Sequence, residues 1–526
     1  MKLLPLLFCS LGLVAAIGCQ TEPAPQITPS QLREQAAAAE NRGRYRDAAD
    51  VYLRLVKTDP ERAEWYVEAG RCLGRSGRFK EALELLDGAR KKFPGLPDVA
   101  AMLARTMLLE AESGQALQPE ILWTDAAAIA EEVLAVDANH LDSRLLLAQA
   151  RFLLGEWDAA DACAEEAVKR HPNHPGAYIL IGRIATERFA QLSAAYAKLA
   201  DADDAAKAEI VAAIDAQRTR AGDALRKAVA ADPSRAHPHI ALAQLAVMDR
   251  KDDAARAHFG DALVADPLQP VDHSALCRGL TAEQRASFYA GLLQRYEARG
   301  DAVAKKAAAL RWQLGRAYYD GERWADAEAA FGAALAADPS ATNSHYYLCL
   351  CAYRRGDHDR AEQHAAAYAA AGAPEFADVL RSLDVEPRGQ MRALLQFLAD
   401  RAFAAGRKEP SRDINHVIAC LVDSADAWNN HAFLCRETGQ FEAAWSSYGH
   451  ALEKEPESPQ LWNDAAVILQ YHLRGDENLA KAKQMYGRAI ELAGKVAANP
   501  KASAIERDRA AQAAKDAKAN LAELGG

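Results

Sequence analysis

A short signature recurs along most of this chain and constrains its fold more than any other feature. An alanine is followed four positions later by a bulky residue, three later by a small residue, and five later by a proline or a turn. Ala82, Leu86, Ala89 and Pro94 show it, and Pro94 lies 34 residues after Pro60. This spacing places the apolar residues on one face of a helix, and proline ends that helix because it lacks an amide proton.

The stretch 425–459 contains one complete unit. It predicts two short amphipathic helices, with a turn at residues 438–440 and a stop at Glu455 and Pro456. Trp428, Ala432 and Cys435 share one face of the first helix. Ala444, Tyr448 and Ala451 share one face of the second. This pattern resembles the tetratricopeptide repeat, whose unit is about 34 residues long. The resemblance implies an all-α fold, an α-solenoid of helix-turn-helix units wound into a right-handed superhelix.

The signature and its interruptions suggest a domain organisation. We expect an amino-terminal array at 31–267, a repeat pair at 302–374 and a carboxy-terminal pair at 425–500. The remaining parts are a degenerate helical connector at 268–301, an irregular helical segment at 375–424 and a capping helix at 501–526. The solenoid is either continuous or divided into two segments at 268–301 and 375–390.

An insertion near 186–219 separates the two helices of one repeat. It is rich in alanine and charged residues, which are strong helix formers. We therefore expect two elongated helices that protrude from the array, with disorder as the alternative.

The amino terminus predicts a secretory signal followed by a tether. Residues 1–18 carry Lys2 and then an apolar run that is too short for a typical membrane span. The sequence at 16–19, Ala-Ile-Gly-Cys, resembles the bacterial lipoprotein box, which implies that Cys19 is lipidated and becomes the new amino terminus. An ordinary signal peptide cleaved nearby is the alternative. Residues 19–30 are proline-rich and predict a semi-extended tether.

The same signal predicts a location. Gln20 after Cys19 resembles lipoproteins that are sorted to the outer membrane. We therefore expect a lipid-anchored protein of the bacterial cell envelope, held at the outer membrane and facing the periplasm, with the cell exterior as the alternative.

Composition and motifs argue against several classes of function. The net charge of −10 and the lack of a long basic block argue against a nucleic-acid binder. Seven cysteines remain once Cys9 and Cys19 are set aside, and without a CxxC pair they favour packing over disulfides or zinc. The histidine groups at 171–174 and 237–239 are interpreted as solvated turns, with metal binding as the less favoured alternative. No P-loop, GxSxG or HExxH motif is present, so we expect no enzyme activity, cofactor or metal.

Recognition of a protein or peptide partner on the surface is the class of function that remains. In tetratricopeptide arrays the first helices line a concave face where peptides and partner helices bind. Residues one turn from the packing positions are predicted to face that groove: Trp312, Arg316, Tyr319, Tyr346, Tyr353, Arg354, Asn429, Phe433, Arg436 and Asn463. Aromatic residues beside arginines are enriched at binding hot spots. Packing against neighbouring helices is the alternative for each aromatic.

These observations predict a non-enzymatic scaffold, anchored by lipid, that binds a protein or peptide on its concave face. A second hypothesis is an assembly factor or structural subunit of an envelope complex for secretion or polysaccharide export.

Overall fold

The computed structural model describes residues 28–41, 43–198, 204–300 and 302–525. Within these ranges the regular secondary structure is helical throughout. The predicted signal, Cys19 and the tether as far as residue 27 lie outside the described residues. The first helix begins at Pro29, inside the stretch predicted as tether. Among the described helices, none combines the length and the apolar character needed to cross a membrane.

The helices fall into two compact units, which meet in sequence between Pro233 and Ser234. The first unit contains α1 Pro29–Asn41, α2 Tyr45–Thr58, α3 Ala63–Arg75, α4 Phe79–Lys92, α5 Pro97–Glu112, α6 Pro119–Val136, α7 Leu141–Leu153, α8 Trp157–Arg170, α9 Pro175–Ala197 and α10 Asp204–Ala231. Each helix packs against the next, and α3, α5, α7 and α9 also touch in succession. The unit is therefore a stack of helical hairpins.

The second unit is also built of helices that pack on their neighbours in sequence. It contains α11 Ala236–Met248, α12 Asp252–Ala265, α13 His273–Leu276, α14 Ala282–Glu297, α15 Ala304–Asp320, α16 Trp324–Ala337, α17 Ser344–Arg354, α18 His358–Arg381, α19 Val385–Ala404, α20 Lys408–Val422, α21 Ala425–Glu437, α22 Phe441–Lys454, α23 Pro459–Val467, α24 Asp476–Ala498 and α25 Ala504–Glu523. Helix α23 continues as a π-helical turn over Ile468–His472, and α18 is interrupted at Gly372.

Proline ends the second helix of a hairpin by a local steric effect. Six helices, α2, α4, α8, α12, α16 and α22, end two residues before a proline, and the residue between helix and proline has φ between −119° and −150°. Contact with the proline ring disfavours the helical conformation at that position. The regular spacing of these prolines in the sequence therefore sets where the second helix of each hairpin ends.

The signature residues form the core. Those of α4, α16, α22 and α24 are all buried, for example Ala327, Phe331 and Ala334. Phe331 packs over Gly315 of the preceding helix, where a Cβ atom would lie 2.9 Å from the Phe331 ring. Gly70 and Gly182 face Leu86 and Leu225 in the same way, at 2.7 and 2.8 Å. Small residues on the first helix therefore let the bulky residue of the second enter.

Within the inserted sequence, residues 186–197 and 204–219 form the distal parts of α9 and α10, which pack against each other. Among their described side chains, none after Phe189 in α9 and none before Ala221 in α10 is buried. The two long helices thus extend beyond the buried core of the first unit.

Both interruptions of the signature lie within the second unit, and helix packing continues through them. Helix α12 packs against α13 and α14 across 268–301, and α18, α19 and α20 pack together across 375–390. Phe376, Leu380, Leu395 and Leu398 belong to one buried cluster in the latter region. The alanine signature is lost there, but the apolar core is not. At the end of the unit, α25 buries Ala510, Ala513 and Ala517 and packs on α23 and α24.

A buried histidine lies in the carboxy-terminal core. His431 has only 5% of its surface exposed, and its ring stacks on His416 with the centroids 4.3 Å apart. Its Nδ1 lies 2.9 Å from Ser447 Oγ, and its Nε2 lies 3.2 Å from Cys435 Sγ. Burial lowers the pKa of His431 from 6.5 to about 3, with a smaller contribution from His416. The folded protein therefore holds this imidazole neutral.

Replacing Gly315 with alanine tests the close approach of α15 and α16. We expect Gly315→Ala to destabilise the protein by up to about 2 kcal/mol, because overpacking costs about 1–3 kcal/mol and the better helix propensity of alanine offsets about 1 kcal/mol of that cost. The control is Gly332→Ala on α16, where a Cβ would meet no atom within 4 Å. Urea unfolding followed by circular dichroism measures both, and equal midpoints for the two variants would contradict the packing argument.

The pKa of His431 predicts acid sensitivity. As the pH falls from 6.5 towards 3, the unfolded chain binds a proton at this residue and the folded chain does not, so stability falls with pH. The contribution is up to about 1.4 kcal/mol per pH unit. In His431→Gln, unfolding free energies measured at several pH values should show a shallower slope. His450→Gln, at a side chain that is 46% exposed, should keep the original slope. Identical slopes for all three proteins would show the assignment to be wrong.

Candidate aromatic and arginine binding face

Helix α15 places three of the predicted groove residues on one side. Trp312, Arg316 and Tyr319 follow at intervals of four and three residues, which places them on one face of a helix. All three are half-buried. Tyr346 and Tyr347 on α17 pack beside them. We call the five residues Trp312, Arg316, Tyr319, Tyr346 and Tyr347 the central aromatic face.

Tyr347 is the centre of this face. Its ring stacks on Phe331 at 4.8 Å and meets Trp312, Tyr319 and Tyr346 edge-on at 5.7, 5.4 and 5.0 Å. Such pairs contribute about 0.5–1.5 kcal/mol each beyond the area that they bury. The face is therefore rigid, and its aromatic rings already have defined partners. The sequence prediction included Tyr346 but not Tyr347, although their adjacency at the start of a repeat was a usable signal.

Arg316 is held by aromatic rings instead of a carboxylate. Its guanidinium carbon lies 5.5 Å from the Trp312 ring centroid and 5.0 Å from that of Tyr347. Among the residues that the structure describes, Arg316 has no ion-pair partner, and its buried Nε has no hydrogen-bond acceptor. A guanidinium over aromatic faces is stabilised as a cation while its remaining donors stay available.

A cleft of about 330 Å³ adjoins this arginine. It is lined by His273, Ser274, Cys277, Arg285, Tyr289, Trp312, Gln313, Arg316, Ala317 and Asp320. Sequence reasoning did not identify the residues from α13 and α14, because they come from the segment where the repeat signature is lost. We call this space the Arg316 cleft.

The charges in the Arg316 cleft leave one cation uncompensated. Arg285 Nη1 pairs with Asp320 Oδ2 at 2.9 Å. His273 Nδ1 lies 2.8 Å from the Tyr289 hydroxyl oxygen, and burial lowers the pKa of His273. Burial, reinforced by the hydrogen bond with Cys277, raises the pKa of Tyr289. Both groups are therefore neutral at pH 7, and Arg316 supplies a net positive charge that suits an anionic group.

The other predicted residues of the middle repeats lie beside this face. Arg354 approaches the Trp324 ring at 6.0 Å, and Trp324 meets Tyr319 at 5.1 Å. Tyr353 points elsewhere, towards His358 and Phe397, and is 38% exposed. It does not line the Arg316 cleft.

The carboxy-terminal candidates do not form one site. Phe433 contacts Phe403 at 6.2 Å and lies under Arg436 at 5.1 Å. Asn429 lines a separate cleft of about 750 Å³ beside Pro456 and Lys501. Asn463 was expected in the groove but is only 5% exposed, and its amide donates to Asp464 Oδ1 at 3.0 Å. Helix α25 packs against α23, which carries Asn463, and thereby occupies the side that a further repeat would cover.

One histidine also departs from the sequence interpretation. His239 was expected in a solvated turn, but it lies inside α11 with 5% of its surface exposed. The expectation treated Pro238 as a turn residue, whereas proline is tolerated in the first turn of a helix.

Comparison with known proteins identifies the repeats. Two family models match the chain, and both are described as tetratricopeptide repeat. The first matches residues 33–97 and 313–375, and the second matches residues 123–184. The chain therefore contains tetratricopeptide repeats. No curated protein matches it.

The chain also matches several solved structures, each with a TM-score below 0.5. The tetratricopeptide-repeat protein TTC0263 of Thermus thermophilus is 17% identical, with 46% of this chain and 96% of that chain covered and a TM-score of 0.24. A chain of the APC/C hetero-tetramer Cut9–Hcn1 is 13% identical, with 92% and 96% covered and a TM-score of 0.29. The type IV pilus biogenesis factor PilW is 15% identical, with 49% and 100% covered and a TM-score of 0.34.

Proposed function

We propose that this protein is a non-enzymatic scaffold that binds a protein or peptide partner at the central aromatic face. Tetratricopeptide-repeat proteins generally mediate protein–protein interaction. The observation that carries the proposal is Arg316, a cation without a carboxylate partner among the described residues, set between two aromatic rings at the edge of a cleft. The partner segment presents a carboxylate to this arginine.

The physical basis is the combination of a fixed surface and an available charge. A hydrogen bond to a charged group contributes about 1.5–3 kcal/mol, more than a neutral one. The aromatic rings around Arg316 contact one another, so a partner that packs on them loses little entropy in ordering them. Arg285 is already paired with Asp320, so the carboxylate of the partner binds Arg316 and not Arg285.

We further propose that the scaffold is anchored at the bacterial envelope through lipid on Cys19. The support is in the sequence: the apolar run before Cys19, the small residue at Gly18 and the proline-rich stretch that follows. An anchor at this position would hold the helical units at the membrane surface. Gln20 favours the outer membrane as the location.

Substitution of Arg316 tests the binding proposal. On an array of twelve-residue peptides that vary in Asp and Glu content, the wild-type chain should retain acidic peptides. Arg316→Ala should weaken that retention about tenfold, because one charge-assisted hydrogen bond is lost. The matched control is Arg311→Ala, on the same helix, since Arg311 already pairs with Glu297. The proposal fails if the wild type prefers no acidic peptide, or if both variants bind alike.

Metabolic labelling tests the anchor. Cells that express the full chain and grow with radioactive palmitate should yield labelled protein in the membrane fraction, and Cys19→Ala should lose the label. Cys9→Ala, within the predicted signal, is the control and should keep it. A Cys19→Ala protein that remains labelled would eliminate the lipid anchor, while leaving the binding proposal untouched.

A further inference from the structure

Three residues with metal-binding side chains converge in the hairpin of α11 and α12. His239 lies on α11, and His258 and Asp261 lie on α12. One ligand atom from each residue lies within 4.8 Å of the corresponding atoms of the other two. This is the one such group of three in the part of the chain that the structure describes.

The helical hairpin explains why they meet. His258 and Asp261 are three residues apart on one helix, so their side chains emerge on the same face. Helix α11 packs along α12 and brings His239 against that face. In the sequence, Asp261 lies 22 residues after His239, so only the packing of the two helices brings these residues together.

A hydrogen bond from a neighbouring helix orients the carboxylate of Asp261. Asp261 Oδ1 accepts a hydrogen bond from Arg295 of α14, whose Nη2 lies 2.7 Å away. The other oxygen, Oδ2, faces His239 Nδ1 at 3.8 Å. Carboxylate ligands of metals are commonly held by hydrogen bonds of this kind, which fix the direction of the ligating oxygen. Arg295 therefore occupies one carboxylate oxygen and leaves the other directed at His239.

We propose that His239, His258 and Asp261 bind a divalent first-row transition-metal cation such as Zn²⁺. Two imidazoles and a carboxylate are borderline ligands that suit this class and not Ca²⁺ or Mg²⁺. Zinc lies about 2.0–2.2 Å from such ligands, which places tetrahedral ligand atoms about 3.4 Å apart. The ligand atoms now lie within 4.8 Å of one another, so a bound ion would draw the three side chains closer together.

A metal ion bound by these three residues would keep one coordination position free. Three protein ligands leave one tetrahedral position for water or for a donor from a partner. Because the ligands come from both helices of the hairpin, bound metal would crosslink α11 to α12 and stabilise the native state.

Metal titration tests this site. The full chain, without a histidine tag, is treated with a chelator and titrated with Zn²⁺ in a calorimeter, and separately with Co²⁺ while visible absorption is recorded. We expect one equivalent to bind, a tetrahedral Co²⁺ spectrum and a rise in the unfolding midpoint. His258→Ala should weaken binding at least tenfold and abolish the rise in midpoint.

The control is His237→Ala, because His237 is exposed on the same helical turn as His239 but does not belong to the group of three. This variant should bind Zn²⁺ as the wild type does. Helicity by circular dichroism without metal shows whether each variant is folded. The proposal is overturned if the wild type binds no Zn²⁺ with saturation, or if folded His258→Ala binds it with unchanged affinity.

Discussion

The close approach of the two helices in each hairpin is the constraint on which the rest of the structure depends. Phe331, Leu86 and Leu225 each enter a space that a single Cβ atom on the facing helix would fill. Ala432 precedes Tyr448 by the same 16 residues that separate Gly315 from Phe331, so a small residue recurs where the helices meet. A bulky residue packed in this way cannot be moved without displacing a helix, because protein interiors are close-packed.

Each hairpin depends on its neighbours, since it cannot bury its apolar face alone. This dependence explains why the structure tolerates loss of the alanine signature. In the region of Leu395 and Leu398 the side chains are larger and the helices α18, α19 and α20 form a broad apolar core. Burial of apolar area is what the stack requires, and the alanine pattern is only one way to achieve it.

The central aromatic face combines residues of the buried core with the border of a cleft. Trp312 contacts Phe331 and Tyr347 in the interior and also lines the Arg316 cleft. The same rings that stabilise the repeat therefore hold the arginine in place. A site built on helices in this manner is fixed more precisely than one built on loops. The pairing of Arg285 with Asp320 leaves Arg316 as the cation that a partner would meet.

The sequence by itself determined the helical class, the repeat length and the positions where helices end, because those properties depend on residues within one or two turns of each other. It also placed Trp312, Arg316 and Tyr319 on one helix face. Only the tertiary structure decided that Asn463 is buried on a helix packed against α25, that α13 and α14 complete the Arg316 cleft, and that Asp261 lies beside His239. These contacts join residues that are far apart in the chain, and helix packing, which no local pattern encodes, brings them together.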